Sequence, residues 1–314
     1  MGDFNTKKKT TIGGQALIEG VMMRGPEEIA IAVRKPDSQI IIDKRKANSI
    51  SKKYKILGLP FIRGSVALVE SLMVGINALT FSAKFFEDDE TVEGPGKFEK
   101  FLIKIFGEKL EGAIMGFSVF LSLLMTVGLF FILPSVISTL LNKAVTNGIL
   151  KNFIEGIIRI AIFAIYILAI SNMKDIRRVF EYHGAEHKSI FCYENQEELT
   201  VENCRKYSTL HPRCGTNFLF IVMLVSIFVF SFLGWPGLWM RILSRIIFIP
   251  IIAGISFELL KFVGRSDSKL VRILIYPGLL LQKLTTREPD DSQLEVAIAA
   301  LKEVLVENKE ADVW

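Results

Sequence analysis

Two long uncharged apolar segments constrain this chain more than any other feature. Residues 112–141 and 216–235 are 30 and 20 residues long and contain no Asp, Glu, Lys or Arg. A helix needs about 20 such residues to cross the hydrocarbon of a bilayer. Half of all residues are hydrophobic and 24 are phenylalanine, which is high for a soluble domain. The sequence therefore predicts an integral membrane protein that is mainly α-helical.

Two further segments, each with a Glu and an Arg, complete the predicted membrane domain, residues 112–286. They are residues 153–173, which contain Glu155 and Arg159, and residues 242–263, which contain Arg245 and Glu258. Charged side chains near a helix end can reach the interface, so both segments are predicted to span the membrane. Because Glu155 and Arg159 are four residues apart, they are predicted to pair with each other. The sequence therefore predicts about four spans.

Basic residues are unevenly distributed between the loops, which predicts the orientation. The linker 174–215 and the stretch 261–287 together carry 13 Lys and Arg residues, whereas the two opposite loops carry three. Cytoplasmic loops are enriched in Lys and Arg. The termini and the linker are therefore predicted to face the cytoplasm in a multi-pass protein of the plasma membrane. Because topology explains the basic residues, no nucleic-acid partner is predicted.

The segments before the first span are predicted to lie outside the bilayer core. Residues 1–57 are predicted to form a small β-rich cytoplasmic unit, since "EIAIAVR" and "IIID" flank the turn residues "KPDSQ". Residues 58–83 are apolar but contain Arg63 and Glu70, and small residues recur along them. This pattern predicts an interfacial or re-entrant helix that packs closely on the bundle. Residues 84–111 are predicted to be an acidic linker with a short helix.

The C-terminal region is also predicted to be helical and peripheral. Residues 270–284 are predicted to lie at the membrane interface. Residues 287–314 are predicted to contain an amphipathic helix with an acidic first turn, and its apolar stripe needs a surface to bury against. The stripe consists of Leu294, Ile298, Leu301 and Leu305.

All three histidines and all three cysteines lie within 32 residues of the predicted cytoplasmic linker. His183 and His187 are four residues apart, so they share one face of a helix, on its apolar stripe. Buried imidazoles need partners, and a metal ion would supply one. "HPRC" offers His211 and Cys214 as further ligands at the start of the third span, where a helix N-terminus favours negative charge. The sequence therefore predicts a site for zinc or another divalent transition metal.

A second pattern overlaps the first. "HGAEH" has the H-x-x-E-H order in which two histidines hold zinc and the glutamate acts as a general base. Glu186 would be the catalytic base. Glu258, 71 residues after His187, is predicted as a further ligand, because a carboxylate inside a membrane segment is a functional candidate.

Simpler alternatives stay open for these residues. His183 and His187 could be core histidines that bond to carboxylates or to the backbone. Glu258 could pair with a nearby basic side chain. Cys192 and Cys204 are predicted to be ordinary buried thiols, because the cytoplasm keeps cysteines reduced. The block "GGQALIEGVMMRGP" either forms a glycine-dependent turn or contributes to a substrate pocket through Gln15, Glu19 or Arg24.

Five separate blocks resemble the YqhQ-like family, domain-of-unknown-function family 1385, which consists of bacterial membrane proteins. They are "GGQALIEGVMMRGP", "AIAVRKPDSQI", "GLPFIRGSVALVESLMVGINAL", "EYHGAEHKSIFCYE" and "LHPRCGTNFLF". The resemblance covers residues 13–286. It implies a bacterial plasma-membrane protein and carries the label of a metal-dependent enzyme, with no substrate attached.

Two functions are compatible with the sequence. In the first, the protein is a metal-dependent hydrolase of a membrane-associated peptide or lipid-linked substrate, with Glu186 as the base. In the second, His183, His187, His211 and Cys214 close a structural metal site. The chain would then be a scaffold or regulatory partner of another integral membrane protein. The lipid bilayer is a predicted partner in both, and the hydrolase is favoured.

Overall fold

The computed structural model describes residues 6–47, 49–50, 54–86, 110–141, 145–266, 268–306 and 311–313, with the backbone alone for residues 110–115. The chain divides into two units. The first contains Met1–Phe86, Ala164–Val229 and Ile247–Trp314, and the second contains Glu87–Phe163 and Phe230–Ile246.

A four-stranded antiparallel sheet forms the N-terminal part of the first unit. In both spatial and chain order, its strands are β1 Gly13–Leu17, β2 Gly20–Arg24, β3 Glu28–Arg34 and β4 Ile40–Lys46. The predicted hairpin is β3–β4, in which Glu28 pairs with Lys46 and Arg34 with Ile40. The first two strands come from the "GGQALIEGVMMRGP" block, where the sequence predicts a turn or a pocket. The N-terminal unit is therefore more regular than predicted.

Helices make up most of the rest of the described chain. They are α1 Ile62–Ala83, α2 Leu110–Val127, α3 Leu133–Leu141, α4 Gly148–Ile170, α5 Lys174–Glu194, α6 Val201–Arg205, α7 Gly215–Phe232, α8 Leu238–Ile247, α9 Ile249–Arg265, α10 Lys269–Thr285 and α11 Asp291–Glu303. A 3-10 helix, Lys55–Gly58, precedes α1, and a π-helical stretch, Gly128–Ile132, joins α2 to α3.

Helices cover both faces of the sheet. On one face, Ala78 of α1 packs with Leu17 and Ile31. On the other face, Tyr182 of α5 and Leu294 of α11 belong to one buried apolar cluster with strand residues. The surface that the amphipathic C-terminal helix requires is therefore the sheet together with α5.

Four helical segments are long and apolar enough to cross a membrane, namely α1, the continuous Gly116–Leu141, α4 and α7. The bent pair α8–α9 would make a fifth if it counts as one broken span. Large apolar side chains are exposed along these helices, among them Phe120, Leu124, Ile165 and Phe228. The predicted class, a mainly helical protein with a small N-terminal sheet, agrees with the structure.

Several predicted boundaries differ from the structure. The sequence predicts one span over 242–263, but the helix breaks at Phe248 because Pro250, which lacks an N–H, lies in the first turn of a new helix. The segment 58–83, predicted to be an interfacial or re-entrant helix, does contain a continuous helix, α1, which by length and composition could also span a membrane, so its placement stays a prediction. Residues 171–173 separate α4 from α5, so the span predicted to end at residue 173 ends at Ile170. The predicted linker 84–111 lies mostly outside the described residues.

The N-terminal half of α1 packs closely on α9. A Cβ at Gly64 would lie 2.6 Å from the Cβ of Phe257 and 2.9 Å from the Cα of Gly254. One residue earlier, Arg63 donates two hydrogen bonds of 2.6 Å to Glu258. The small residues predicted to allow close helix packing therefore do so at this crossing.

Four charged side chains are buried together in the second unit. Glu155 lies 3.1 Å from Arg159 Nη2, 3.4 Å from Arg245 Nε and 3.5 Å from Arg241 Nε. None of the four residues is more than 7% exposed. The predicted pairing of Glu155 with Arg159 is present, but two arginines from α8 share the same carboxylate.

Two hydrogen bonds cap the N-terminus of α11, and their contribution to stability can be tested by mutation. Asp290 accepts a hydrogen bond from Gln293 N, and Gln293 Oε1 accepts one from Asp290 N, each 2.9 Å long. Replacing Asp290 with alanine is expected to reduce stability by about 1 kcal/mol, because an N-terminal N–H loses its acceptor. Hydrogen exchange of the α11 amides measures this loss. Asp291→Ala is the control, since it also removes a carboxylate but no cap; equal exchange in both variants would contradict the prediction.

Candidate functional site

Helix α5 directs two histidines to one place. His183 Nδ1 lies 2.9 Å from the carbonyl oxygen of Thr285, and His187 Nδ1 lies 2.5 Å from that of Thr209. A carbonyl oxygen can only accept, so each Nδ1 carries the hydrogen. The Nε2 atom of each neutral ring then holds a lone pair. Histidines that bind metals usually donate their other ring N–H to a carbonyl or carboxylate in this way, which fixes the orientation of the ring.

Cys214 joins the two histidines from the loop that leads into α7. Its Sγ lies 3.2 Å from His183 Nε2 and accepts a hydrogen bond of 3.4 Å from the backbone N–H of Thr216. Gln282 of α10 holds this loop, because its side-chain amide exchanges two hydrogen bonds of 2.8 Å with the backbone of His211. The thiol is therefore positioned by the start of α7 and by α10.

The ligand atoms of His183, His187 and Cys214 all lie within 4.8 Å of one another. Neutral imidazole and cysteine sulfur are the side-chain groups that zinc prefers. Three protein ligands also leave the fourth position of a tetrahedral ion open. These three side chains could therefore hold a metal ion with one position for water or substrate.

His211, predicted as a ligand, has other contacts. It is buried, with Nδ1 accepting from the Arg213 N–H and Nε2 3.6 Å from the carboxylate of Glu194. Burial lowers the pKa of His211 to about 4, so the ring is neutral at pH 7. Its ring lies 5.5 Å from that of His187, centroid to centroid. His211 therefore lies next to His187 but outside the set of three residues whose ligand atoms converge.

Glu258, the other predicted ligand, is also held elsewhere. Both of its carboxylate oxygens accept hydrogen bonds from Arg63. It is therefore the side chain that pairs α9 with α1. The simpler alternative, an ion pair with a basic side chain, describes its contacts, although its partner comes from α1 and not from its own helix.

Glu186, the predicted catalytic base, faces the same cavity as the three converging residues. It is 5% exposed, and its Oε1 accepts a hydrogen bond of 2.9 Å from Gly14 N of β1. Burial raises the pKa of Glu186, opposed by His183 and by the Gly14 hydrogen bond. The environment therefore favours the protonated form of this carboxyl group more than water does.

The cavity measures about 840 Å³ and lies within the first unit. Its walls come from β1, α1, α5 and the start of α7, with apolar side chains that include Leu68, Leu72, Phe180 and Leu219. Gln15 and Arg24 of the N-terminal block line it. Glu19 does not, because it pairs with Arg178.

Cys192 and Cys204 lie apart from the three converging residues. Both are free and buried, and Cys192 Sγ donates a hydrogen bond of 3.4 Å to the carbonyl of Glu198. The pKa of Cys204 is raised by its contact with Cys192 and by burial. Both are therefore the ordinary buried thiols that the sequence predicts.

Comparisons with known proteins agree with the family resemblance that the five sequence blocks indicate. The model of the family described as "Protein of unknown function (DUF1385)" matches residues 59–307. "Uncharacterized protein YqhQ" of Bacillus subtilis (strain 168) is 36% identical over 298 residues, which cover 93% of this chain and 92% of that protein. No solved structure matches the chain.

Proposed function

The chain belongs to the DUF1385 family of proteins of unknown function, and from its site we propose that it is a metal-dependent hydrolase at the surface of a membrane. The observation that carries this proposal is the convergence of His183, His187 and Cys214 within 4.8 Å. They lie beside a buried glutamate, in a cavity large enough for a substrate.

Zinc is the metal that fits these ligands best. Both imidazoles turn Nε2 toward the site because Nδ1 is bonded to a backbone carbonyl, and thiolate and imidazole are preferred zinc ligands. A bound zinc ion would supply Lewis-acid polarisation and a water of lowered pKa.

Glu186 supplies the proton transfer in this proposal. Its carboxylate accepts a proton from the attacking water and delivers it to the leaving atom of the cleaved bond. The oxygen of the water forms the new bond to the carbonyl carbon, and no oxidant or reductant is required. The hydrogen bond from Gly14 holds the carboxylate in place.

Connectivity supports a site on one side of the bilayer. The sheet, α5 and α11 share one buried apolar cluster, so they lie on the same side of any membrane. The chain between β4 and α5 must then cross an even number of times, although the described part of it contains three apolar helical segments. The middle of α1 stays with the sheet, because Glu70 accepts a 3.2 Å hydrogen bond from Arg24 of β2. This favours crossings by α2–α3 and α4, with α1 lying on the membrane surface.

A second candidate is a scaffold with a closed, structural metal site. Its support is the neutral ring of His211, only 5.5 Å from that of His187. If the ring of His211 turned, it could provide a fourth ligand. The metal would then stabilise a docking protein for another membrane protein, with no open position for catalysis.

Metal content separates these candidates. Mass spectrometry of protein purified in detergent without chelators is expected to find about one zinc per chain, and less than about a tenth in His187→Ala and Cys214→Ser. Cys192→Ser is the matched control, since it removes another buried free thiol and should keep the metal. His211→Asn should also keep it if three residues bind the ion.

Each outcome has a distinct meaning. Metal loss with a retained fold in His187→Ala supports the open site. Metal loss in His211→Asn, with unfolding of His187→Ala, supports the structural alternative. Wild-type protein without metal contradicts both.

A further inference from the structure

We propose that the substrate is an extended peptide that binds by adding a strand to the open edge of β1. This inference rests on the proposed hydrolase function, because β1 forms a wall of the cavity that also contains His183, His187, Cys214 and Glu186. Strand addition uses backbone hydrogen bonds for affinity and alternate side chains for selectivity.

Within the described part of the chain, β1 is the first strand of the sheet and pairs with β2 alone, so its other edge has no strand partner. Gly14 lies opposite Met23 in that pair, yet its N–H donates to Glu186 and so points away from β2. In an antiparallel pair, orientation alternates, so Ala16 also turns its N–H and C=O away from β2. Among the hydrogen bonds of the described residues, none engages these two groups of Ala16.

Strand β1 itself carries none of the usual protections of an edge strand, although the Glu186 carboxylate from α5 accepts the outward N–H of Gly14. Proteins usually cover an open edge with a charged side chain, a proline or a bulge. Residues 13–16 are Gly-Gly-Gln-Ala and pair with β2 without a bulge, and both glycines are exposed. The edge therefore resembles a binding surface more than a protected boundary.

Close packing requires a glycine at position 14 but not at position 13. A Cβ at Gly14 would lie 2.6 Å from the carbonyl oxygen of Met22 and 3.0 Å from the side chain of Glu186. A Cβ at Gly13 would meet nothing within 4 Å. The fold therefore tolerates a side chain at position 13, and its absence leaves room for a second backbone beside β1.

The walls on either side of the edge suit an extended peptide. Ala16 packs with the apolar cluster of α5, whereas Gln15 contacts Gly75 of α1. Successive side chains of an added strand would likewise point alternately toward α5 and toward α1. Leu68 and Leu72 line the α1 side. We therefore infer that alternate positions of the peptide are apolar, as in a segment that emerges from the membrane.

Binding to an array of random decapeptides tests this inference without requiring cleavage. The probe protein is zinc-loaded Glu186→Gln in lipid nanodiscs, in which bound peptides are not consumed. Ala16→Pro in this background removes the outward N–H but no bond to β2, and proline is tolerated on an open edge. It is expected to weaken binding at least about tenfold. Ala16→Ser is the control, since it keeps the N–H and a small side chain.

Methylation of single backbone nitrogens in the best-bound peptide provides a second measurement that leaves the protein unchanged. Binding is expected to fall at every other position, because only alternate N–H groups face β1. Binding by Ala16→Pro as tight as that of Ala16→Ser, or uniform tolerance of methylation along the peptide, would overturn strand addition. Zinc content, measured on each variant, separates this failure from failure of the proposed metal site.

Discussion

Replacing Glu186 with glutamine is expected to leave about one zinc per chain and to slow hydrolysis by about 10²–10⁴-fold. Glutamine keeps the length of the side chain, and its Oε1 can still accept the hydrogen bond that Gly14 N donates to Glu186. The hydrogen bond between β1 and residue 186 is therefore retained. What the substitution removes is the group that accepts a proton from water. Mass spectrometry of new peptide ends, with wild-type protein and the variant in nanodiscs, measures the rate.

The matched control is Glu181→Gln on the same helix. Glu181 contacts Arg177 and Gln293, and it is not among the residues that line the cavity. We expect the Glu181→Gln variant to hydrolyse peptides at nearly the wild-type rate. If Glu186→Gln is equally active, the role of Glu186 is to hold β1, and the general base must be sought elsewhere in the cavity.

Replacing Glu155 with alanine is expected to destabilise the second unit by about 3–5 kcal/mol. Its carboxylate is within 3.5 Å of three guanidinium groups that are almost fully buried. The substitution removes the carboxylate that Arg159, Arg241 and Arg245 share among the described ion pairs, and with it the Coulombic attraction to three buried cations. Thermal unfolding in detergent, followed by intrinsic fluorescence, measures the loss.

An exposed ion pair provides the comparison. Glu295 pairs with Arg34, but its side chain is 54% exposed, so Glu295→Ala is expected to change stability by about 0–1 kcal/mol. A loss in Glu155→Ala no larger than this would mean that the hydrogen bonds and aromatic faces around the arginines balance the cations. Arg241 and Arg245 do stack on Trp235 and Phe230, at 3.9 and 4.0 Å.

Prediction from sequence was most successful where one local property decides the outcome. The length of an uncharged apolar segment predicts the helix at Gly116–Leu141 and helix α7. Turn residues predict the β3–β4 hairpin. Boundaries were less predictable, since Pro250 splits a segment that is apolar on both sides. Strands β1 and β2 were missed because their Gly-rich sequence has weak strand propensity and is stabilised by packing on α1 and α5.

In the candidate site, too, local spacing was predictable from the sequence, whereas contacts between elements were not. The i, i+4 spacing predicts that His183 and His187 share a helix face, and the structure brings Cys214 to them. His211 and Glu258 have suitable chemistry but other partners, Glu194 and Arg63. Backbone carbonyls that orient the histidines carry no sequence signal, because every residue has one.

The amino-acid sequence alone is enough to predict the apolar helices, the hairpin of the sheet and the residues able to bind a metal. Each of these depends on side-chain type and on spacing within one element. The fold of the whole unit sets which of those residues meet, which carboxylate lines the cavity and that β1 has no second strand partner among the described residues. Those outcomes depend on contacts between elements far apart in the chain, such as Gly14 with Glu186 and Thr285 with His183. Local periodicity cannot encode such contacts, because packing of the whole unit sets them.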